Sequence, residues 1–588
     1  MKEHRRRVAV IGAGPSGLCT LKELVQEGHD AVCLERGEGL GGLFRFNPDP
    51  RSIGVWRTCR LTSSPLVTSF SDFPPWGPDD DPAHRHWSHS EYVGYLDRYV
   101  AQFALGERIR FGCEVRQLDR LADGQWRLFF DEQGSEKSLE VDAVAICTGL
   151  HSKPHIPGLK GLSEFRGEVL HSAHYKDQSD IKGKTAVFVG CGESGSEIIE
   201  ELSRSMSRSY VSLRRGTVVI PRLLNGLPND YTGTRLIYSL PEIAIRRSDE
   251  RASGTLRRIC RLLFPLVAVR AGLLWVQRRQ RRRRNDSMLL NQQAGVWDRL
   301  PRKSAARVFS ERRRRNDAIE AVMIKLRREA RSNQFESFAT KSEGFVRAIV
   351  DGRAELRPAI DRVLPNGVQF EDGSRVEADA LIFSTGFEPA FVPFLVIEVD
   401  LGALYLNCFA PDVGETLAFI GFIRPPLGAI PPMAEMQARL FSQVVGGKRI
   451  LPSAADMKRD VVRRLAKRRA YFREVFGRLP QLADYSAYMD ELAEIIGCKP
   501  RLADLMLRPR LIFKIYTGPF CSAQYRLRGP HSDPRRAGRL IESVPSQFML
   551  VRFADLAFSH LASLCGIRNF RPRLSLLATV DADAFLVE

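Results

Sequence analysis

Two Rossmann-like α/β units, one interrupting the other, are predicted by three observations in this 588-residue chain. A glycine-rich fingerprint occurs twice, each copy directly after an apolar, strand-like run, at 8–11 and at 185–189. A buried strand ending in Thr-Gly also occurs twice, at 142–149 and 379–386. Between the two fingerprints lies a short linking motif over 165–175. In a strand–turn–helix phosphate site the first glycine makes the tight turn and the second lets a pyrophosphate approach the backbone. The third lets helix and strand pack closely. The phosphates then rest on free N–H groups at the positive end of the helix dipole.

The first copy supplies Gly12, Gly14 and Gly17. Leu18, Leu21, Leu24 and Val25 recur at helical spacing behind it, Gly28 and His29 end that helix, and 31–34 reads as a second buried strand. Glu35 closes the strand, where a carboxylate can accept from a ribose hydroxyl. Gly41, Gly42, Leu43 and Phe44 bring a further stretch of backbone close, and Thr148 with Gly149 ends a third strand. This context points to FAD or NAD.

The second copy supplies Gly190, Gly192, Ser194 and Gly195, with Ile198, Ile199 and Leu202 as its helix face. Its following strand, 210–213, ends in Arg214 and Arg215 rather than in an acid. A carboxylate would repel a 2′-phosphate, whereas a guanidinium pairs with it bidentately, so this site is expected to prefer NADPH to NADH. Arg222 is a further, weaker candidate. Two such sites in one chain imply two dinucleotides face to face, an arrangement for passing a hydride.

Bulk properties narrow the class. The length suggests two or three domains. Eleven cysteines, an odd number with no CxxC pair, argue against a disulfide framework and for a reducing, cytoplasmic compartment. They also exclude a reductase that works through a cysteine pair. Arg5, Arg6 and Arg7 precede apolar residues, but that run is the first strand and too short for a targeting signal. No metal-ligand cluster is expected.

Net charge is +19, and 241–335 holds 25 Lys and Arg against 9 Asp and Glu. The peaks are 278–284 and 312–315. Ahead of the first lies 262–276, apolar apart from Arg270 and shorter than the roughly 20 residues of a membrane span. An apolar helix flanked by arginines suits the surface of an anionic bilayer, reached through 256–284, and a peripheral attachment to the cytoplasmic face is expected. A solvated insertion or packing helix is the plainer alternative. Nucleic acid is disfavoured, since no helix-turn-helix, zinc or RNA-binding motif accompanies the arginines.

The expected organisation is a discontinuous FAD-binding domain (1–164 and 376–540) and an NADPH-binding domain (165–375). Within the latter lies a basic, mostly helical insertion (241–335), and a tail covers 541–588. A helix over 91–103, with Tyr92, Tyr95, Leu96 and Tyr99 on one face, and a strand at 125–130 belong to the first domain.

The chain resembles the flavin-containing monooxygenases, through an FxGxxxHxxxY motif present as Phe165, Gly167, His171 and Tyr175. Further family-like segments are 70–74, 384–387, 427–431, 437–439, 484–492 and 516–519, with 241–335 the poorly matched part. The resemblance implies FAD and NADPH as cofactors, and O2 with a small amine or sulfide as substrates. It implies a cycle in which reduced flavin forms a 4a-hydroperoxide that a soft nucleophile attacks. Such a cycle asks for a dry pocket rather than a catalytic triad.

By the same resemblance His171 lies at the domain junction, and Gln437 is expected at the cofactor. Thr62 stands where the family commonly has an Asn beside the flavin's reacting edge, and a hydroxyl offers one donor where an amide offers donor and acceptor. Tyr175, where Baeyer–Villiger enzymes have Trp, leans towards oxygenation of nitrogen or sulfur. A Baeyer–Villiger oxygenase and an NADPH oxidase releasing hydrogen peroxide are the nearer alternatives; a non-catalytic scaffold docking on lipid or nucleic acid is the remote one.

Overall fold

The computed structural model describes residues 5–76, 85–224, 227–235, 238, 302–330, 339–389, 391–472, 479 and 481–544. The chain opens with β1 (Arg7–Ile11), α1 (Pro15–Gln26) and β2 (Asp30–Glu35). A short α2 (Pro65–Thr68) follows, and then α3 (His89–Gln102), which starts where Ser88 and Glu91 cap each other's backbone. β3 (Ile109–Phe111) joins the sheet edge. β4 (Cys113–Arg120), β5 (Trp126–Glu132) and β6 (Ser135–Val141) form an antiparallel meander, and β7 (Ala143–Ile146) returns beside β1.

A second sheet begins with β8 (Glu168–His171), β9 (Thr185–Val189), α4 (Glu193–Leu202) and β10 (Arg208–Ser212). A two-stranded ribbon, β11 (Leu223–Leu224) and β12 (Leu227–Pro228), precedes α5 (Arg302–Glu329) and α6 (Gly344–Val350). β13 (Glu355–Arg357) leads into a second meander of β14 (Ile360–Leu364), β15 (Gly367–Phe370) and β16 (Arg375–Glu377). β17 (Ala380–Phe383), β18 (Leu417–Phe419) and α7 (Ile430–Val445) follow, and further helices come after them, Ala454–Phe472, Tyr485–Ile496, Pro509–Thr517 and Pro534–Ser543 among them.

The first sheet has the order β18-β7-β1-β2-β3 and the second β13-β10-β9-β17-β8. Every neighbouring pair in both is parallel. Parallel sheets need both faces covered, which is why their strands read as continuous apolar runs. The residues of β7 and β17 are all buried. α1, α3 and α7 cover one face of the first sheet through Leu18, Leu21, Tyr92, Tyr95, Met433 and Phe441. α4, α5 and α6 cover the second through Ile198, Ile199, Leu326 and Phe345. The two-unit α/β architecture expected from the fingerprints is therefore present.

One boundary moves. A return to the first domain at 376 puts β17 in the first sheet, but β17 lies between β9 and β8 in the second. β18 is the strand that rejoins the first. The two Thr-Gly strands end alike because each is an inner parallel strand of its own sheet.

The basic segment is partly described. Its arginine peak 312–315 lies on α5, whose Ile319 and Leu326 are buried in the second core and whose Arg315 pairs with Asp351 at 2.8 Å. This part of the segment is a packing helix. The stretch proposed for membrane contact, 256–284, lies outside the described residues, as does 545–588. Among the described residues no helix is long and apolar enough to cross a membrane. Nine cysteines among them are free and buried.

Candidate active site

Both fingerprints sit at the C-terminal ends of inner strands, where parallel α/β sheets bind ligands. In the first, Gly12 has a φ of +104°, a turn that an L side chain rarely makes. Gly14 caps α1 with no side-chain bond and no acid in the first turn, leaving its N–H groups to a ligand. A Cβ on Gly17 would stand 1.7 Å from the Gly12 carbonyl oxygen, so only glycine lets helix and strand meet there. Gly41 donates its N–H to the Ala13 carbonyl at 3.0 Å and Gly42 packs against Gly14, which joins the two glycine segments in one backbone wall. Leu43 and Phe44 continue it as a single helical turn, the Phe44 ring set edge-on to Tyr92.

Glu35 ends β2 with Oε2 accepting from Ala13 N–H and Oε1 from Gly37 N–H, both at 2.7 Å. The carboxylate is thereby fixed at the mouth of the loop. Thr148 is exposed and Gly149 half-buried where β7 ends beside β1. These residues fit an adenine dinucleotide, and they would hold its pyrophosphate and ribose.

In the second loop Gly190 turns at φ +85° against Ser384, and a Cβ on Gly195 would meet the Ser384 side chain at 2.6 Å. Gly192 has no neighbour within 4 Å of where a Cβ would stand, so space lies open above the loop, and exposed Ser194 flanks it. Arg214 and Arg215 are exposed just past β10, the neighbour of β9, where a 2′-phosphate would lie. Arg222 does not join them. Its guanidinium pairs with Glu197 and donates to the Arg60 carbonyl at 3.0 Å, and its own N–H donates to Glu343. Replacing Arg214 and Arg215 together by Ala is expected to raise KM for NADPH about tenfold or more, the worth of one or two charge-assisted bonds. KM for NADH should hardly move, and steady-state kinetics with both nucleotides checks this.

The linking motif knits the junction. The Phe165 ring lies over Gly167, where a Cβ would strike it at 2.5 Å and the Asp379 carbonyl at 2.4 Å. His171 ends β8 opposite Phe383 of β17. Its Nδ1 accepts from Ala173 N–H at 3.1 Å, its buried Nε2 has no partner among the described residues, and burial lowers its pKa to about 4. A neutral, enclosed imidazole packed against Phe387 is suited to positioning this junction. Tyr175 is buried, packs near Trp56, and donates to Glu201 at 3.1 Å. Thr58 bonds the same carboxylate, and Arg57 pairs with Asp177 at 2.8 Å. Loop 45–60 of the first unit is thus held to α4 and the linker of the second.

Thr62 is half-buried in the loop leading to Ser64, the N-cap of α2. Gln437 spends both ends of its side-chain amide inside the protein. It is fully buried, its Oε1 accepts from Gly421 N–H at 2.8 Å, and its Nε2 donates to the Asn407 carbonyl and Tyr488 hydroxyl, both at 2.9 Å. Its role is to hold the backbone after β18.

Several further charged residues are paired here, at positions to which no motif assigns a role. Glu193, in the first turn of α4, faces Lys341 at 3.4 Å and Arg424 at 3.9 Å. Arg424 also meets His151, whose pKa burial lowers to about 3. Burial pushes Glu197 up to about 7 despite Arg222. Asp230, from the segment after the β-ribbon, accepts from Ser64 N–H at 2.6 Å. They come from positions as far apart as 151 and 424, and only the periodicity of α4 could have hinted at Glu197.

The profile of the flavin-binding monooxygenase-like family matches residues 5–246 and 266–540. The unmatched gap is 247–265, narrower than the 241–335 expected. A 4-hydroxybenzoate brominase (decarboxylating) of Pseudoalteromonas luteoviolacea (strain 2ta16) is 30% identical over 543 residues, 92% of this chain and 93% of that protein. Flavin-containing monooxygenase 2 of Homo sapiens is 32% identical over 543 residues, 89% of each. Among solved structures, S-allyl-L-cysteine S-oxygenase from Allium sativum covers 95% of this chain and all of its own, with a TM-score of 0.57 at 18% identity. Cyclohexanone monooxygenase from Rhodococcus sp. Phi1, bound to NADP+, covers 84% of this chain and 98% of its own, with a TM-score of 0.55 at 18% identity.

Proposed function

Because the chain belongs to the flavin-binding monooxygenase-like family, whose cofactors are FAD and NADPH, we propose that it transfers one oxygen atom from O2 to a soft nucleophile, the nitrogen or sulfur of a small amine or sulfide. The observation that carries this reading is the pairing of two unlike nucleotide loops, one ending in Glu35 and the other in Arg214 and Arg215, across a junction tied by residues 165–175. When bound, the flavin supplies the redox chemistry with O2 and NADPH supplies the hydride.

The chain's own part is binding and enclosure. The glycines of both loops admit the pyrophosphates, and α1 and α4 present free N–H groups to them. Loop 45–60, held by Thr58 and Arg57 on the second unit, keeps the two sites in register.

With NADPH and O2, methyl phenyl sulfide or N,N-dimethylaniline should give one oxide per NADPH consumed, with little hydrogen peroxide. Peroxide equal to NADPH, whatever the added nucleophile, would replace this reading with the oxidase. A second reading has support from the brominase relatives: bromide is also a soft nucleophile. Bromination of 4-hydroxybenzoate on adding bromide, with no sulfoxide formed, would select it. Tyr175 carries little weight against Baeyer–Villiger chemistry, since it is a hydrogen-bonded core residue, and a cyclic ketone belongs in the same assay. Attachment to an anionic membrane surface stays a separate proposal, tested by vesicle co-sedimentation.

A further inference from the structure

Asp230 is the one carboxyl among those described above that reaches from the second unit to the loop containing Thr62. Its Oδ2 accepts from Ser64 N–H at 2.6 Å, while its Oδ1 is shielded from solvent and has no hydrogen-bond partner among the described residues. Among the same residues two neighbouring hydroxyls, Tyr231 and Tyr485, are likewise buried without partners. Leaving a buried polar atom unsatisfied is unfavourable, so three together mark a place where a further polar group or a moving proton is accommodated.

The groups facing Asp230 come from several elements. Ser64 comes from the loop, Lys341 from the stretch before α6, Tyr231 and Tyr238 from its own segment and Tyr485 from the helix Tyr485–Ile496. Burial raises the carboxyl to about 6, against the pull of the Ser64 bonds and of Lys341. It therefore exchanges its proton near neutrality, unlike His171, which stays neutral there.

Oxygen transfer consumes a proton. NADPH, H+, O2 and the nucleophile become NADP+, water and the oxide: one oxygen atom bonds to the nucleophile, the other leaves as water, and NADPH is the species oxidised. We propose that Asp230, in its protonated form, hands on that proton beside the 62–64 loop and that its half-buried carboxyl is reprotonated from solvent. This rests on the oxygenase reading.

Asp230→Asn separates the two roles the residue could have. The amide oxygen still accepts from Ser64 N–H, so a purely structural role survives, but the proton cannot be exchanged. NADPH-driven O2 uptake is measured with an electrode from pH 5 to 8, with and without methyl phenyl sulfide, alongside flavin content. Wild type should slow as pH rises through about 6. D230N should keep its flavin, run about tenfold or more slower at pH 5.5, and lack that limb; Asp230→Glu should regain part of both. Uptake by D230N with the wild-type rate and profile would overturn the proposal and leave the oxygenase reading standing. So would loss of flavin by D230N, which makes the residue structural. Absence of any NADPH-driven uptake by wild type would overturn both.

Discussion

Gly17→Ala should give a protein that no longer retains flavin. The added Cβ would stand 1.7 Å from the Gly12 carbonyl oxygen and 2.9 Å from its carbon, both backbone atoms of the turn itself. Neither can swing aside as a side-chain tip would, so α1 must part from β1, and the phosphate cradle opens with it. Overpacking of this kind costs about 3 kcal/mol or more, which corresponds to a loss of roughly a hundredfold or more in flavin affinity. Gly14→Ala is the control. There the Cβ meets Gly42 at an ordinary 3.7 Å, so the fold should survive and only the approach of the pyrophosphate should suffer. Flavin absorbance per protein after desalting, with thermal melting of both variants, separates the two effects. Stoichiometric flavin in G17A would refute the close-packing argument.

Arg526→Met should cost the protein about 3–5 kcal/mol at neutral pH, because it strips the cation from a buried cluster of acids. Glu23 on α1, Asp72 in the 70–74 segment and Glu435 on α7 converge there. Arg526 reaches them at 2.6, 3.0 and 2.9 Å, and Lys22 pairs with Glu23 and Asp72. Ser71 donates to Glu435 through both its N–H and its hydroxyl. The three acids could frame a metal ion by their spacing, but Lys22 and Arg526 occupy the cationic role.

The pH dependence follows from Glu23. Burial alone would raise its pKa, yet Lys22 and Arg526 outweigh this and hold it at about 2. A depressed carboxyl stabilises the fold above its unfolded value of 4.5, and that stability is lost as pH falls towards 2. Without Arg526 the folded value rises, so the deficit of R526M should be largest near pH 7.5 and smaller at pH 3, inside the window from 4.5 to about 2. Urea melts at the two pH values test this; an equal deficit at both would show that the cluster is not electrostatically coupled to Arg526.

Local spacing made the two nucleotide loops legible. A tight turn, a close approach and a helix–strand contact each demand glycine within six residues, so the chemistry and the spacing coincide in the chain. The same holds for the ribose side, where Glu35 ends the strand after the first loop and Arg214 and Arg215 lie just past the strand after the second. The motif 165–175 was legible as a resemblance, and its physical content came from contacts. Phe165 covers Gly167, His171 pairs with Phe383 across a strand over 200 residues away, and Tyr175 anchors on Glu201.

What the amino-acid order determined by itself is what short-range sterics dictate: two phosphate cradles, their different nucleotide preferences and the apolar strands that carry them. Tertiary structure decided the rest. It put β17 in the second sheet, bonded Gln437 to Gly421, and diverted Arg222 to Glu197. It also joined Asp230 to Ser64 and gathered Glu23, Asp72 and Glu435 around Arg526. The reason is common to all of these. A buried polar or charged group must find a partner wherever the fold brings one, and such partners carry no fixed spacing along the chain.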